Sequence, residues 1–170
     1  VIIATGGVSY PSTGSTGDGY DFAASVGHSI EPVRPSLTPF VTSHTQKEYL
    51  NGLLLKNVGA NLYIDNELAG EEFGEFGFSE RGIEGAVALR LSRDVVDAII
   101  DEKRVKIIVD LKPALDEETL LARINREIAE MQPSEFFSEL LRKLVPKQMV
   151  VPLAKEVDFH SKTYVSKLTD

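Results

Sequence analysis

Apolar positions along this chain follow three rhythms, and each predicts a different kind of element. Residues 1–5 open Val-Ile-Ile-Ala with no alternation, which predicts a short strand buried on both faces. Paired glycines, Gly6 and Gly7, end it. From Asp18 onward, Tyr20, Phe22, Ala23, Ala24 and Val26 build a short helix, with Asp18 as its N-cap, Asp21 in its first turn and Gly27 as the residue that ends it. Pro32, Pro35 and Pro39 then mark an extended crossing between two bodies.

Beyond the crossing the rhythm shortens. Residues 37–41, 52–58, 60–65 and 71–78 are β-prone runs, with Asp65-Asn66 placed as a hairpin turn. No long helix-periodic run precedes Gly85, so this part predicts an antiparallel sheet or small barrel. Residues 85–100 then carry Val87, Leu89, Leu91, Val95, Val96 and Ile99 at helical spacing, and residues 105–109 return to a strand closed by Pro113.

The last third is helical. Asp116 caps a helix whose stripe is Leu120, Leu121, Ile124, Ile128 and Met131, a set expected in the core together with Phe136 and Phe137. Pro133 is expected to open the next helix, and Pro146 a third that Pro152 interrupts. The sequence has no internal repeat.

Composition narrows the function classes. Apolar residues make up 42% and charged residues 26%, enough for a core without covalent staples. No Cys is present, which excludes disulfides, thiolate metal sites and thiol nucleophiles. The formal charge of −8, with scattered Lys and Arg, lacks the basic footprint that nucleic acid requires. No apolar run reaches the ~20 residues that span a bilayer. These features lead to expectations of a cytoplasmic protein, no nucleic-acid partner and no membrane. The first residue is Val1, already inside a strand pattern, so a piece of a longer protein is expected.

Candidate chemistry centres on glycine. Thr5, Gly6 and Gly7 end a strand where backbone can lie against a bound nucleotide, or can simply turn. Gly14-Ser-Thr-Gly-Asp-Gly19 matches neither the dinucleotide fingerprint nor the P-loop, yet it sets Gly17, Asp18 and Gly19 at a helix N-terminus. Asp18 there can cap the helix or bind a ligand hydroxyl or amine. His28, His44 and His160 have no metal-ligand spacing, so no metal site is expected. Ser9, Ser12 and Ser15 lack a nucleophile-elbow context. The acid- and glycine-rich stretch 71–85 reads as strand, turn and helix start, or as a pocket-lining loop with Arg81 as an anion ligand.

Taken together, Ala4-Thr-Gly-Gly-Val-Ser-Tyr-Pro11, Gly14-Ser-Thr-Gly-Asp-Gly-Tyr20, Gly27-His-Ser-Ile30 and Pro35-Ser-Leu-Thr-Pro39 resemble one family. It is the group of BaiN-like or aminoacetone-oxidase-like FAD-dependent oxidoreductases, often named NAD(FAD)-utilising dehydrogenases. Gly74-Glu-Phe-Gly-Phe-Ser-Glu-Arg-Gly-Ile-Glu-Gly85 and Leu89-Arg-Leu-Ser-Arg93 are similar to that family's insert segment.

The resemblance implies an α+β fold: a remnant of an α/β FAD-binding domain at 1–35, a β-rich, barrel-like insert part at 36–112 and a helical insert part at 113–170. It implies hydride transfer at a flavin in the whole protein, with FAD as cofactor and NAD(P)H as a possible electron source. Thr5, Gly6 and Gly7 would touch FAD, and Gly17, Asp18 and Gly19 would lie near the flavin. The implied partners are the remainder of the FAD-binding domain and a small-molecule substrate, with a homodimer possible. The rival reading is a non-catalytic interaction or dimerisation module inserted in a flavoprotein. The family's commoner insert signature has Thr-His before the glycine turn and Ser-Gly-Pro after it. Here Ser79-Glu80 and Glu84-Gly85-Ala86 stand there, so no role of that His or Ser passes to this chain.

Overall fold

A computed structural model describes residues 1–43, 47–157 and 160–168. His44 lies outside the described residues. The chain divides into two compact units, residues 1–36 and 37–170.

In the first unit, helix α1 (Asp18–Ser25) follows a single 3₁₀ turn at Pro11–Thr13. Its N-cap is Gly17, in the left-handed region at φ 93°, and not Asp18. The Asp18 carboxylate instead accepts from the Thr16 hydroxyl at 2.7 Å, which leaves Asp18 as the first helical residue. The C-terminus ends as the sequence predicts. Gly27 adopts φ 89°, its N–H donates to the Ala24 carbonyl, and the His28 N–H reaches back to the Ala23 carbonyl.

The strand expected at 1–5 does not form. Val1 and Ile2 are fully exposed and Ile3 is half-exposed, and no ladder joins them to any described strand. An apolar run without alternation needs neighbours on both sides, and no strand among the described residues pairs with it.

The second unit is built on an antiparallel sheet of β1 (Phe40–Val41), β2 (Leu54–Ile64), β3 (Glu67–Ser79), β4 (Gly82–Glu84) and β5 (Val105–Asp110), in the order β1-β4-β3-β2-β5. The runs at 52–58 and 60–65 fuse into the one strand β2, which passes through Gly59. Asp65 and Asn66 turn the β2–β3 hairpin with φ of 50° and 71°, the two positive values a type I′ turn requires. Two hydrogen bonds pin this turn to the approach to β5: the Asp65 N–H donates to the Arg104 carbonyl, and the Arg104 N–H to the Asp65 carboxylate. A short helix, α2 (Lys47–Leu50), precedes β2.

Helix α3 (Ala86–Ile100) lies across the sheet and buries Val87, Ala88, Leu91, Ser92, Val95 and Ala98. Val58, Ala60, Leu62 and Phe76 meet it from β2 and β3 to form the main core. Arg90 clamps helix to strand: its Nε donates to Glu72 at 2.6 Å and its Nη2 to the Phe73 carbonyl at 2.7 Å.

Ser92 is the buried polar residue of this core, with no exposed surface. Its hydroxyl donates to the Leu89 carbonyl at 2.7 Å and accepts the Leu37 N–H at 2.8 Å. The bond holds Leu37 at φ 51°, a conformation a branched residue seldom adopts. Ser92→Ala strands that N–H and is expected to cost about 1–3 kcal/mol in urea unfolding. A loss below about 0.5 kcal/mol would show that the bond does not hold the segment.

The helical part comprises α4 (Glu117–Ala129), α5 (Phe137–Leu144) and α6 (Val150–Glu156), which enclose a second core of Met131, Phe137, Leu140, Leu141, Val150, Ala154 and Val165. The α5 helix begins after Phe136 rather than at Pro133. Phe136 stacks on Tyr164 at 5.1 Å between ring centres. Pro152 does not interrupt α6. It occupies the third helical position, where a backbone N–H would have no partner within α6.

The α4 stripe is only partly core. Ile128 packs into the second cluster, whereas Leu121 is 56% exposed and no residue of the helix is fully buried. Asp116 caps α4 as expected, accepting the Thr119 N–H at 2.8 Å. The Thr119 hydroxyl first, and its backbone N–H second, hold the Asp116 carboxyl below its ordinary value. A lowered folded value means the cap stabilises above the unfolded pKa, about 3.9, and is lost as pH falls through the lower folded value. Acid unfolding of Asp116→Ala should therefore differ from wild type less below about pH 3 than at neutral pH. A stability difference independent of pH would contradict this.

Candidate functional site

The two glycine segments singled out in the sequence meet inside the first unit. A Cβ at Gly19 would overlap the Thr5 hydroxyl and stand 3.3 Å from Ile3 Cγ2. At Gly17 it would come within 2.8 Å of Val8 Cγ1, and at Gly6 within 3.0 Å of the Ser15 hydroxyl. Gly7 faces the Tyr20 hydroxyl. The glycines thus let residues 3–8 lie directly on the loop and first turn of α1. Of the six candidate residues, Gly17 is buried, Thr5, Gly7 and Gly19 are half-buried, and Gly6 and Asp18 are exposed.

This surface fits one part of an FAD molecule and not another. Among the described residues, no backbone hydrogen bond uses the N–H or C=O of Thr5, Gly6 or Gly7, so that edge is open to a ligand. The first turn of α1, however, carries Asp18 and Asp21. Two carboxylates there oppose a phosphate, and the Thr16 hydroxyl is already turned toward Asp18. The edge suits hydroxyl or ring N–H groups of a cofactor, and the pyrophosphate is unsuited to it.

The remaining candidates are dispersed. His28 ends α1, and the exposed His160 accepts the Lys162 N–H on Nδ1 at 3.1 Å. Among the described residues no cluster of three His, Cys, Asp or Glu could hold a metal. Arg81 sits on the two-residue turn between β3 and β4, exposed and with no partner among the described residues. The backbone is closely packed beside that turn. A Cβ on Gly82 would overlap the Phe40 carbonyl oxygen, and one on Gly85 would stand 3.1 Å from the Glu75 carbonyl oxygen. Sequence reasoning did not single out Gly82 or Ser92. The spacing Gly82-Ile-Glu-Gly85 was the available signal for the first, and nothing local marks the second.

The second unit also holds an open cleft of about 1090 Å³. Phe40 and Val41 line one side, Val105, Ile107 and Val109 the other, with Phe76 and Val95 among the residues between. Its walls are mainly aliphatic and aromatic, with Thr42, Ser79, Lys103, Lys106 and Glu156 also on the lining, and no buried polar side chain converges on it. No helix among the described residues is long and apolar enough to cross a membrane.

Comparison with known proteins gives the following. The family model described as "HI0933-like protein barrel and H2TH domain" matches residues 34–170. The chain is 28% identical over 150 residues to a 3-dehydro-bile acid delta(4,6)-reductase of Clostridium scindens, covering 88% of this chain and 36% of the relative. It is 31% identical over 152 residues to a ribosomal RNA dihydrouridine synthase of Haemophilus influenzae, covering 88% and 34%. The enzyme of the same name from Escherichia coli is 28% identical over 151 residues, with the same coverage. The chain spans about a third of the length of these curated relatives.

Proposed function

From the premise that this chain belongs to the HI0933-like family of FAD-dependent oxidoreductases, we propose that it is the substrate-side segment of a flavoprotein that reduces carbon–carbon double bonds conjugated to a carbonyl. The names of the relatives support this reading. A delta(4,6)-reductase of a 3-dehydro steroid acid and a dihydrouridine synthase share one reaction type. In each, the carbonyl draws electrons from an alkene, so hydride adds to the far carbon and a proton to the near one.

FAD, when bound and reduced, would supply the hydride, and NAD(P)H is the proposed source of the electrons. Thr5, Gly6 and Gly7 offer unpaired backbone groups to the uncharged part of the cofactor. Gly17 and Gly19 keep that edge close to α1 by carrying no side chain. Asp18 accepts a hydroxyl there, as it does from Thr16. The pyrophosphate is assigned to the remainder of the FAD-binding domain, since Asp18 and Asp21 repel it here.

The observation that carries the reading is the meeting of Thr5 with Gly19. It brings two separate segments, both assigned to the cofactor by resemblance, onto one surface. The substrate class proposed is a small, carbonyl-bearing organic molecule. The charge of −8 favours it over a polyanion such as RNA, and the cytoplasm is the proposed location.

The test uses the full-length flavoprotein, reduced anaerobically and mixed with a steroid 4-en-3-one, with uridine or with a uridine-containing RNA. Reoxidation of the flavin by the enone, with loss of its conjugated absorption, is the expected result. Reoxidation by RNA alone would move the substrate class to nucleic acid. The 170-residue chain by itself is expected to purify without flavin colour, and a stoichiometric yellow preparation would overturn the assignment of the pyrophosphate elsewhere.

A further inference from the structure

Strand direction shows what belongs in the cleft of the second unit. Every neighbouring pair in the order β1-β4-β3-β2-β5 is antiparallel. Two strands four steps apart therefore point the same way, so β1 and β5 run parallel. Such a sheet cannot close edge to edge by antiparallel pairing. One added strand, opposite in direction to both, closes it with every pair antiparallel.

The cleft has the chemistry of that missing strand. Both sheet edges line it, Phe40 and Val41 from β1 and residues 105–109 from β5, and Met149, Pro152, Leu153 and Glu156 of the helical part add to its lining. Along β5, Val105, Ile107 and Val109 are half-buried and pack against the main core, while Lys106, Ile108 and Asp110 are exposed. Among the described residues, each edge also leaves backbone N–H and C=O groups without a strand partner. A small apolar ligand would fill the floor and satisfy neither edge. An extended chain satisfies both. The matched family domain is described as a barrel, an architecture defined by having no edges.

We infer that the cleft seats a sixth β-strand, antiparallel to both β1 and β5, with apolar side chains at alternate positions turned into the cavity. The occupant is a strand of the same polypeptide, from the part of the flavoprotein outside these 170 residues. The curated relatives are about three times as long as the segment they share with this chain, which leaves ample chain to supply it. Lys103 and Lys106 line the β5 side of the cleft. Lysines at a sheet edge oppose pairing with a second identical edge, which disfavours another copy of the chain. The inference does not depend on the flavin chemistry proposed above.

Amide hydrogen exchange on the 170-residue chain and on the full-length flavoprotein tests it. In the segment at low concentration, the alternate amides of residues 105–110 that are not bonded to β2 should exchange as open peptide. In the full-length protein the same amides, with those of residues 40–41, should slow by about a hundredfold or more. The dye 1-anilinonaphthalene-8-sulfonate should bind the segment and leave the full-length protein dark. Fast exchange of these amides in the full-length protein would overturn the inference, as would undiminished dye binding there. Protection that appears in the segment as concentration rises, together with a dimer in sedimentation, would assign the cleft to a second copy and overturn the stated source.

Discussion

Gly82→Ala is expected to cost about 3 kcal/mol or more, among the larger losses a single methyl group can cause. Gly82 holds φ at 151°, and an added Cβ would overlap the Phe40 carbonyl oxygen and stand 3.0 Å from the Thr42 nitrogen. Those are backbone atoms of the neighbouring strand, so no side chain can swing aside to relieve the overlap. The substitution should separate β1 from β4 and with them one wall of the cleft. Gly52→Ala is the matched control. Gly52 also has positive φ, 76°, but open space around its Cβ, so only the backbone strain remains, about 1 kcal/mol. Urea unfolding of both variants decides between them. Equal losses would mean that the close approach of β1 to Gly82 contributes nothing.

The largest functional effect is expected at Gly17. In the full-length flavoprotein, Gly17→Val should reduce FAD retention by about tenfold or more, equivalent to about 1.4 kcal/mol. The first carbon of that side chain would sit 2.8 Å from Val8 Cγ1, and Gly17 is at φ 93°, which a β-branched residue resists. Residues 3–8 must then leave α1, and the edge formed by Thr5, Gly6 and Gly7 moves with them. Glu102→Ala serves as the comparison. Glu102 is exposed on the turn after α3, at φ 58°, so both residue types meet the same backbone strain. Bound flavin and the rate of flavin reduction should be measured for each. Full occupancy and unchanged reduction in Gly17→Val would reduce the glycine loop to a structural turn.

Local signals in the sequence succeeded where the interaction is local. Asp65-Asn66 marks its hairpin because side chains that tolerate positive φ are needed within two residues. Asp116 marks α4 because its carboxylate reaches an N–H three positions on. The α3 stripe is legible because one helix face meets one sheet.

Some failures are local, as where Gly17 rather than Asp18 caps α1 and Pro152 is accommodated within α6; the larger ones turn on distant partners or on elements too short to show a period. Val1 to Ala4 have the composition of a buried strand, but composition cannot reveal that no strand among the described residues pairs with them. Leu121 belongs to a regular stripe, yet the surface it would meet does not cover it. Strand β4 is three residues long, too short to show any period. Ser92 looks like an ordinary polar position within a helix, and only the Leu37 N–H, fifty-five residues away, gives it a purpose. The candidate cofactor edge was legible as two glycine clusters. Their packing against each other, Thr5 on Gly19 and Val8 on Gly17, was not, because it depends on how the loop folds back.

The most direct test of the central claim is an anaerobic half-reaction of the full-length flavoprotein. The enzyme is reduced to completion, mixed with a steroid 4-en-3-one, and followed through the visible flavin band while the product is identified by mass. The account predicts return of the oxidised flavin spectrum with one equivalent of product, heavier by two hydrogens and lacking the conjugated alkene. Flavin that stays reduced with the enone, with uridine and with uridine-containing RNA, in a protein that binds FAD fully, would contradict it.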